Sequence, residues 1–321
     1  MNNSEVIIAL LKVFIMILPG FILGKMKLLN DTHTEGMSGL LTNVTYPCMV
    51  IAAMQMEYSS QVMRNSIYVV IIFLAVGLIA MGVSKGVAKT LRLGSDKSGT
   101  MAFMMVFGNT GFMGLPVING LYGQQGVFYA AICDSSIGIL MFTLGIMLIK
   151  QAASGDSRMS ASDVIKGFAN PCFISVIIGF AFYAGQASIP EIIAEPLGMI
   201  GSATSPLAMI VVGVHLSKCK FKDIFADKLG WVAAVLKLFI TPLIALVILK
   251  IIFMVSGGMD SSQFLFAAAI VLESAMPCAM FTVILSEQYR ADTSLATHGV
   301  MLSTILSAVT IPIVAMILQI L

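Results

Sequence analysis

Charge is scarce in this sequence. Of its 321 residues only 11% are Asp, Glu, Lys or Arg, against 58% hydrophobic, and the mean hydropathy is +0.98. A soluble domain carries about 25% charged residues. Too few are present here to cover a water-facing surface, so the chain reads as a polytopic membrane protein. The net charge of +2 gives no basic footprint for nucleic acid. Cys48, Cys133, Cys172, Cys219 and Cys278 stand singly with no C-x-x-C, and only three histidines are present. That pattern excludes a disulfide framework and gives no metal centre; a lone Cys in an apolar run is a small buried hydrophobe. The 24 methionines read as packing residues. G-x-x-x-x-G-K-[ST], H-E-x-x-H and G-x-S-x-G are all absent, so neither ATP-driven transport nor an enzyme is expected, and no cofactor. Met1-Asn2-Asn3-Ser4-Glu5 puts no basic residue before the first apolar run. That run is therefore expected as a retained helix and not a cleaved signal.

Long apolar runs are what the sequence has in abundance. A membrane helix needs roughly 20 apolar residues, and ten candidate segments lie near 5–24, 36–55, 66–88, 98–119, 125–149, 170–185, 196–217, 231–254, 263–285 and 295–320. Fourteen of the 18 Lys and Arg fall in loops on one side of this plan. Arg64 and Lys250 fall on the other side, and Lys12 and Lys237 lie inside segments. The asymmetry places both termini outside the cytoplasm, in the inner (plasma) membrane bilayer. A polar connection over 151–169 separates 1–150 from 170–321. Five segments is an odd number, so the second set is inserted upside down relative to the first. The expected fold is all-α: ten transmembrane helices in two inverted five-helix repeats, with broken, crossing segments 4 and 9.

The breaks carry the chemistry. Segment 4 contains Phe107-Gly108-Asn109-Thr110-Gly111-Phe112-Met113-Gly114-Leu115-Pro116. Gly costs about 1 kcal/mol and Pro about 3 in a helix interior, and in lipid the freed backbone groups need partners. Segment 9 breaks at Glu273-Ser274-Ala275-Met276-Pro277-Cys278. Spacing alone pairs Pro277 with Pro116, in step with Pro47 and Pro206. The density of polar and flexible residues instead places the first break at Gly108–Gly111. Half-helix N-termini suit a carboxylate, and freed carbonyls suit a cation. Candidate substrate contacts are Asn109, Thr110 and Gly111 on one side, and Ser274, Pro277 and Cys278 on the other. Asn43, Thr45 and Tyr46 before Pro47, and Thr204 and Ser205 before Pro206, are candidate walls. A hydroxyl beside a membrane proline can equally bond a freed carbonyl, and the breaks themselves can be kinks that permit close helix packing.

Intramembrane acids are rare and usually functional. Asp134, with its neighbour Ser135, and Glu273 are the candidate ion-coupling residues, for H⁺ or for Na⁺ near Glu273; the alternative is a paired structural acid. Lys237, ahead of Thr241-Pro242, can neutralise an acid, attract an anion, or, like Lys12, snorkel to the interface. His215 and His298 lie near helix ends and read as interfacial.

The run Gly108-Asn109-Thr110-Gly111-Phe112-Met113-Gly114-Leu115-Pro116, followed by Leu121-Tyr122-Gly123, resembles the auxin efflux carrier family. The likeness continues through Tyr46-Pro47, Asn170-Pro171, Ala275-Met276-Pro277, Glu287-Gln288-Tyr289, Leu302-Ser303-Thr304 and Ile311-Pro312. That family includes plant auxin exporters and bacterial permeases for malate, malonate and similar acids. The resemblance implies crossing segments 4 and 9, a scaffold of segments 1, 2, 6 and 7, a moving domain of segments 3–5 and 8–10, a homodimer and an elevator-type cycle. It also implies that Asn109 contacts the substrate carboxylate and that Pro277 marks the second crossing. Gly108 and Cys172 replace residues of the plant pattern and point away from auxin. The expected function is secondary transport of a mono- or dicarboxylate, coupled to Na⁺ or H⁺. The rival readings are an uncoupled, potential-driven carrier, a membrane ligand sensor and an ion channel.

Overall fold

The computed structural model describes residues 3–154, 165, 168–218, 220–258 and 260–319, and every regular element among them is a helix. In chain order these are α1 (Asn3–Ile15), α2 (Ile17–Lys25), α3 (Asp31–Leu40), α4 (Tyr46–Ala53), α5 (Ser60–Thr90), α6 (Ser95–Val106), α7 (Leu115–Leu140), α8 (Ile146–Ser154), α9 (Pro171–Ala184), α10 (Glu191–Ser202), α11 (Thr204–Ser217), α12 (Phe221–Ala226), α13 (Lys228–Val235), α14 (Thr241–Ser256), α15 (Ser261–Ser274), α16 (Phe281–Tyr289) and α17 (Thr293–Leu318). Among the described residues six helical stretches are long and apolar enough to cross a membrane: Ser4–Lys25, Ser60–Thr90, Thr110–Ala153, Glu191–Ser217, Lys228–Ser256 and Thr293–Leu318. Pro171–Ala184 and Gln263–Ser274 are shorter apolar helices. The connection expected at 151–169 begins inside α8, and apart from residues 165, 168 and 169 the rest of it, like Cys219, lies outside the described residues.

A straight Thr110–Ala153 helix would be about 66 Å long, twice the roughly 30 Å hydrocarbon core. It is not straight. Gly123 has φ 61° and ψ −154° inside α7, a conformation that only glycine adopts without strain. A Cβ on Gly126 would fall 2.7 Å from both Ile118 and Tyr122 side chains, so the second half of α7 packs back on the first.

Four π-helical turns interrupt the helices, at Leu41–Thr45, Thr110–Gly114, Met141–Gly145 and Leu236–Ile240. Three of them end two residues before a proline: Pro47, Pro116 and Pro242. Proline has no N–H and clashes with the carbonyl one turn back, and widening the preceding turn relieves both. Thr241 shows the compensation, its hydroxyl donating to the Leu236 carbonyl at 3.2 Å.

Residues 101–107 and 266–276 are buried nearly without exception, so the ends of α6 and α15 form the centre of the molecule. A second seam joins α2 to α11, backbone against backbone. A Cβ on Gly20 would lie 2.1 Å from the Ile210 carbonyl oxygen, and one on Gly213 would lie 2.2 Å from that of Ile17. Small residues permit such approach where lipid gives no hydrophobic drive. Gly213→Ala should destabilise the protein by about 1–3 kcal/mol, seen as a lower melting temperature in detergent, and Gly213→Leu should not yield folded protein. A Gly213→Leu protein with wild-type melting would remove the seam from this account.

Candidate functional site at the crossing of two broken helices

α6 ends at Val106 and α15 at Ser274, and the two interruptions meet. Asn109 N–H donates to the Pro277 carbonyl at 2.7 Å, and Ala279 N–H donates to the Phe107 carbonyl at 3.0 Å. Gly108 and Cys278 thus face each other in an isolated antiparallel bridge. Each break supplies the partners that the other lacks, which is what irregular backbone at membrane depth requires. The Cys278 N–H is taken by Ser303 Oγ of α17 at 3.0 Å. The carbonyl end of α6 is closed by Lys237 Nζ on Val106 O, at 3.4 Å, and by the Thr241 hydroxyl, which shares its one proton between Met105 O and Leu236 O, each at 3.2 Å. An ammonium there complements the negative end of the helix dipole.

A cavity of about 120 Å³ lies beside the crossing. A buried water occupies roughly 10–15 Å³ on this measure, so the cavity takes several waters or one small organic molecule. Asn109, Thr110, Gly111, Tyr46, Asp134 and Ser135 line it. Both carboxylate oxygens of Asp134 accept a hydroxyl, Oδ1 from Thr110 and Oδ2 from Tyr46. One acid therefore ties α4, α7 and the Thr110–Gly114 turn together. That turn is also a helix start. The N–H groups of Met113 and Gly114 go to the Asn109 carbonyl, at 3.0 and 3.1 Å. Thr110, Gly111 and Phe112 carry the preceding N–H groups, which have no partner within the helix, and all three residues line the cavity. The arrangement offers an anion helix N–H groups and the Asn109 side chain.

The cavity opens to the surface. It shares Thr42, Phe112, Met280 and Phe281 with a vestibule of about 880 Å³. His215, His298, Asp31 and Lys218 stand around that vestibule. Asp31 and Lys218 form an ion pair, and the hydrogen bond and charge of Lys218 hold the exposed Asp31 carboxyl below its ordinary range. His298 is held at 2.8 Å by Asp227, which also caps the start of α13.

On the other side of Gly108 is a void of about 10 Å³, room for one water at most, lined by Lys237, Glu273 and Ser274 among others. Glu273 is 0% exposed, and among the described residues neither carboxylate oxygen has a hydrogen-bond partner. The carboxylate rests on the Gly114 backbone; a Cβ there would be 2.1 Å from Oε2. Lys237 is 1% exposed and does not snorkel.

The structure thus gathers six of the sequence candidates around one cavity and places the others differently. Ser274 bonds back to the Ile270 carbonyl, at 2.7 Å, and sits with Glu273 behind the crossing. Pro277 and Cys278 contribute backbone. Asn43 faces the vestibule, its amide donating to the Gly39 carbonyl at 2.7 Å. Thr45 and Thr204 are buried, without a partner for either hydroxyl among the described residues, and Ser205 lines a separate cavity. Cavity residues that sequence reasoning did not assign include Thr42, Asn170, Cys172 and Phe281. The Asn170-Pro171 pair was the available signal: the Asn170 side chain accepts the Cys172 N–H at 2.9 Å as an N-cap, with Pro at the first helical position.

A model of the membrane transport protein family matches residues 5–315. An uncharacterized transporter of Methanocaldococcus jannaschii is 26% identical over 306 residues, 93% of this chain and 94% of the relative. An uncharacterized transporter of Methanothermobacter thermautotrophicus is 25% identical over 319 residues, 99% of each chain.

Proposed function

The chain belongs to the membrane transport protein family, the auxin efflux carrier family, and from that premise we propose that it is a secondary transporter of small organic anions, mono- or dicarboxylates such as malate or malonate. It is a multi-pass membrane transport protein and not an enzyme. The observation that carries the substrate class is the crossing at Gly108 and Cys278, which aims the Thr110–Gly114 helix start and Asn109 into a cavity reached from the vestibule. Helix N-termini favour carboxylates.

In this reading 1–150 and 170–321 are inverted repeats joined by 151–169. Both termini lie outside the cytoplasm in the plasma membrane, and two copies pair as a homodimer. The first, second, sixth and seventh segments form the scaffold, which the α2–α11 seam stiffens, and the remainder moves as an elevator carrying the crossing. Asp134, in contact with the cavity, and Glu273, behind it, are the coupling residues. The Glu273 void is the size of one water and is lined by the Lys237 ammonium. That neighbour repels Na⁺, which supports H⁺ as the coupling ion.

A ligand bound only by the folded state stabilises it by about 2.7 kcal/mol at 100 times its Kd. Malate or malonate should therefore raise the melting temperature of the purified protein, and Asn109→Ala should weaken that rise. Saturable counterflow of the same acid in proteoliposomes separates a carrier from a sensor or channel. No stabilisation by any mono- or dicarboxylate would overturn the substrate class.

A further inference from the structure

A second cavity, of about 440 Å³, shares no lining residue with the crossing cavity or the vestibule. One face of α1, carrying Glu5 and Lys12, forms one wall. The Pro116, Asn119 and Gly120 face of α7 forms the other, and Ser205 lines it at the start of α11. The vestibule lies at the far end of the same helix, where His215 and Lys218 line it. Ser205 and Lys218 are about 20 Å apart along a helix axis, so the two cavities lie at opposite ends of α11.

We propose that this cavity is an oxyanion-binding site, distinct from the crossing cavity, built from Lys12, Asn119 and Ser205. Lys12 stands near the middle of the Ser4–Lys25 span, where a lysine costs about 2.5–3.5 kcal/mol in lipid; it is exposed, and it lines this open groove. Ser205 is only 8% exposed, and its hydroxyl has no partner among the described residues. A hydroxyl before a membrane proline usually bonds a freed carbonyl, as Thr241 does; Ser205 before Pro206 does not. One ammonium, one amide and one hydroxyl are a donor set for a carboxylate or phosphate oxygen. Glu5, two turns toward the start of α1, already has an interaction of its own. A close α1–α7 contact fixes the cavity wall: a Cβ on Gly120 would meet Val13 at 2.9 Å. Ile8 and Leu11 of the same helix are about half exposed, so the oxyanion can come from a free carboxylate or from a lipid phosphate.

The test uses the full chain in phosphatidylcholine nanodiscs, carrying Asn109→Ala to silence the crossing cavity. The rate of Lys12 acetylation by an amine-reactive reagent is read by mass spectrometry, together with the melting temperature. Malonate at millimolar concentration should slow acetylation at least threefold and raise the melting temperature. Ser205→Ala should lose the protection, and Lys12→Gln the thermal shift. Protection that appears without malonate, when phosphatidylglycerol replaces part of the lipid, supports the same site with a lipid headgroup as its occupant. Unchanged labelling and unchanged melting with both malonate and anionic lipid would overturn the proposal.

Discussion

Asp134→Asn is expected to cut carboxylate exchange in proteoliposomes by roughly 10- to 100-fold and to flatten its pH dependence. The carboxylate accepts from Tyr46 and Thr110 at once, and it lines the cavity. An amide keeps one acceptor oxygen and turns an NH₂ toward the other hydroxyl, which must then accept where it donated, and both bonds lose their charge assistance. A hydrogen bond to a charged group contributes about 1.5–3 kcal/mol, and 1.4 kcal/mol is a factor of ten. The loss falls on the element that positions the helix start at Thr110, so it weakens anion binding as well as the local fold. Tyr46→Phe separates the two roles, because it removes one bond and leaves the charge. That variant should exchange more slowly with its pH dependence intact. Wild-type rate and wild-type pH dependence in Asp134→Asn would remove Asp134 from both roles.

The broken segments were legible because their cost is local. Three glycines, an asparagine and a proline within Phe107–Pro116 cannot continue an apolar helix cheaply, and the helix does stop at Val106. The partner of the break was legible to within a residue: spacing alone pairs Pro116 with Pro277, but the density of polar and flexible residues places the break at Gly108–Gly111, and the chain pairs Gly108 with Cys278. Pro116 sits beyond a π-turn, where it acts on the preceding turn and leaves the break to the glycines. Lys237 stood out as an intramembrane charge, but its partner at Val106 O comes from a helix more than a hundred residues away. Tyr46 and Ser205 occupy matching places before prolines, yet only Tyr46 reaches the crossing cavity. Its phenol spans the gap to Asp134, while the short Ser205 hydroxyl sits on a helix fixed against α2 by Gly20 and Gly213. Patterns within one helix could be read in advance; contacts between helices far apart in sequence could not.

Lys237→Met should destabilise the core by about 3–5 kcal/mol, the range for removing one partner from a buried charged set. It strips the Val106 carbonyl of its donor and leaves Glu273, which has no hydrogen-bond partner among the described residues, without the cationic side chain that lines its void. Adding Glu273→Gln should return a large part of that loss, because a neutral amide needs no cation. A coupling of about 0.5–3 kcal/mol between the two sites, read from melting in detergent, is therefore expected. Strictly additive losses would show that Lys237 acts only as the cap of α6. Glu273→Gln alone addresses transport: it should abolish the ion dependence of uptake while carboxylate exchange persists. Exchange runs the loaded carrier back and forth, whereas net uptake needs the empty carrier to return, and that return is the step that needs the charge on Glu273 balanced. If Na⁺ and pH dependence both survive in Glu273→Gln, the acid is structural and Asp134 alone remains for coupling.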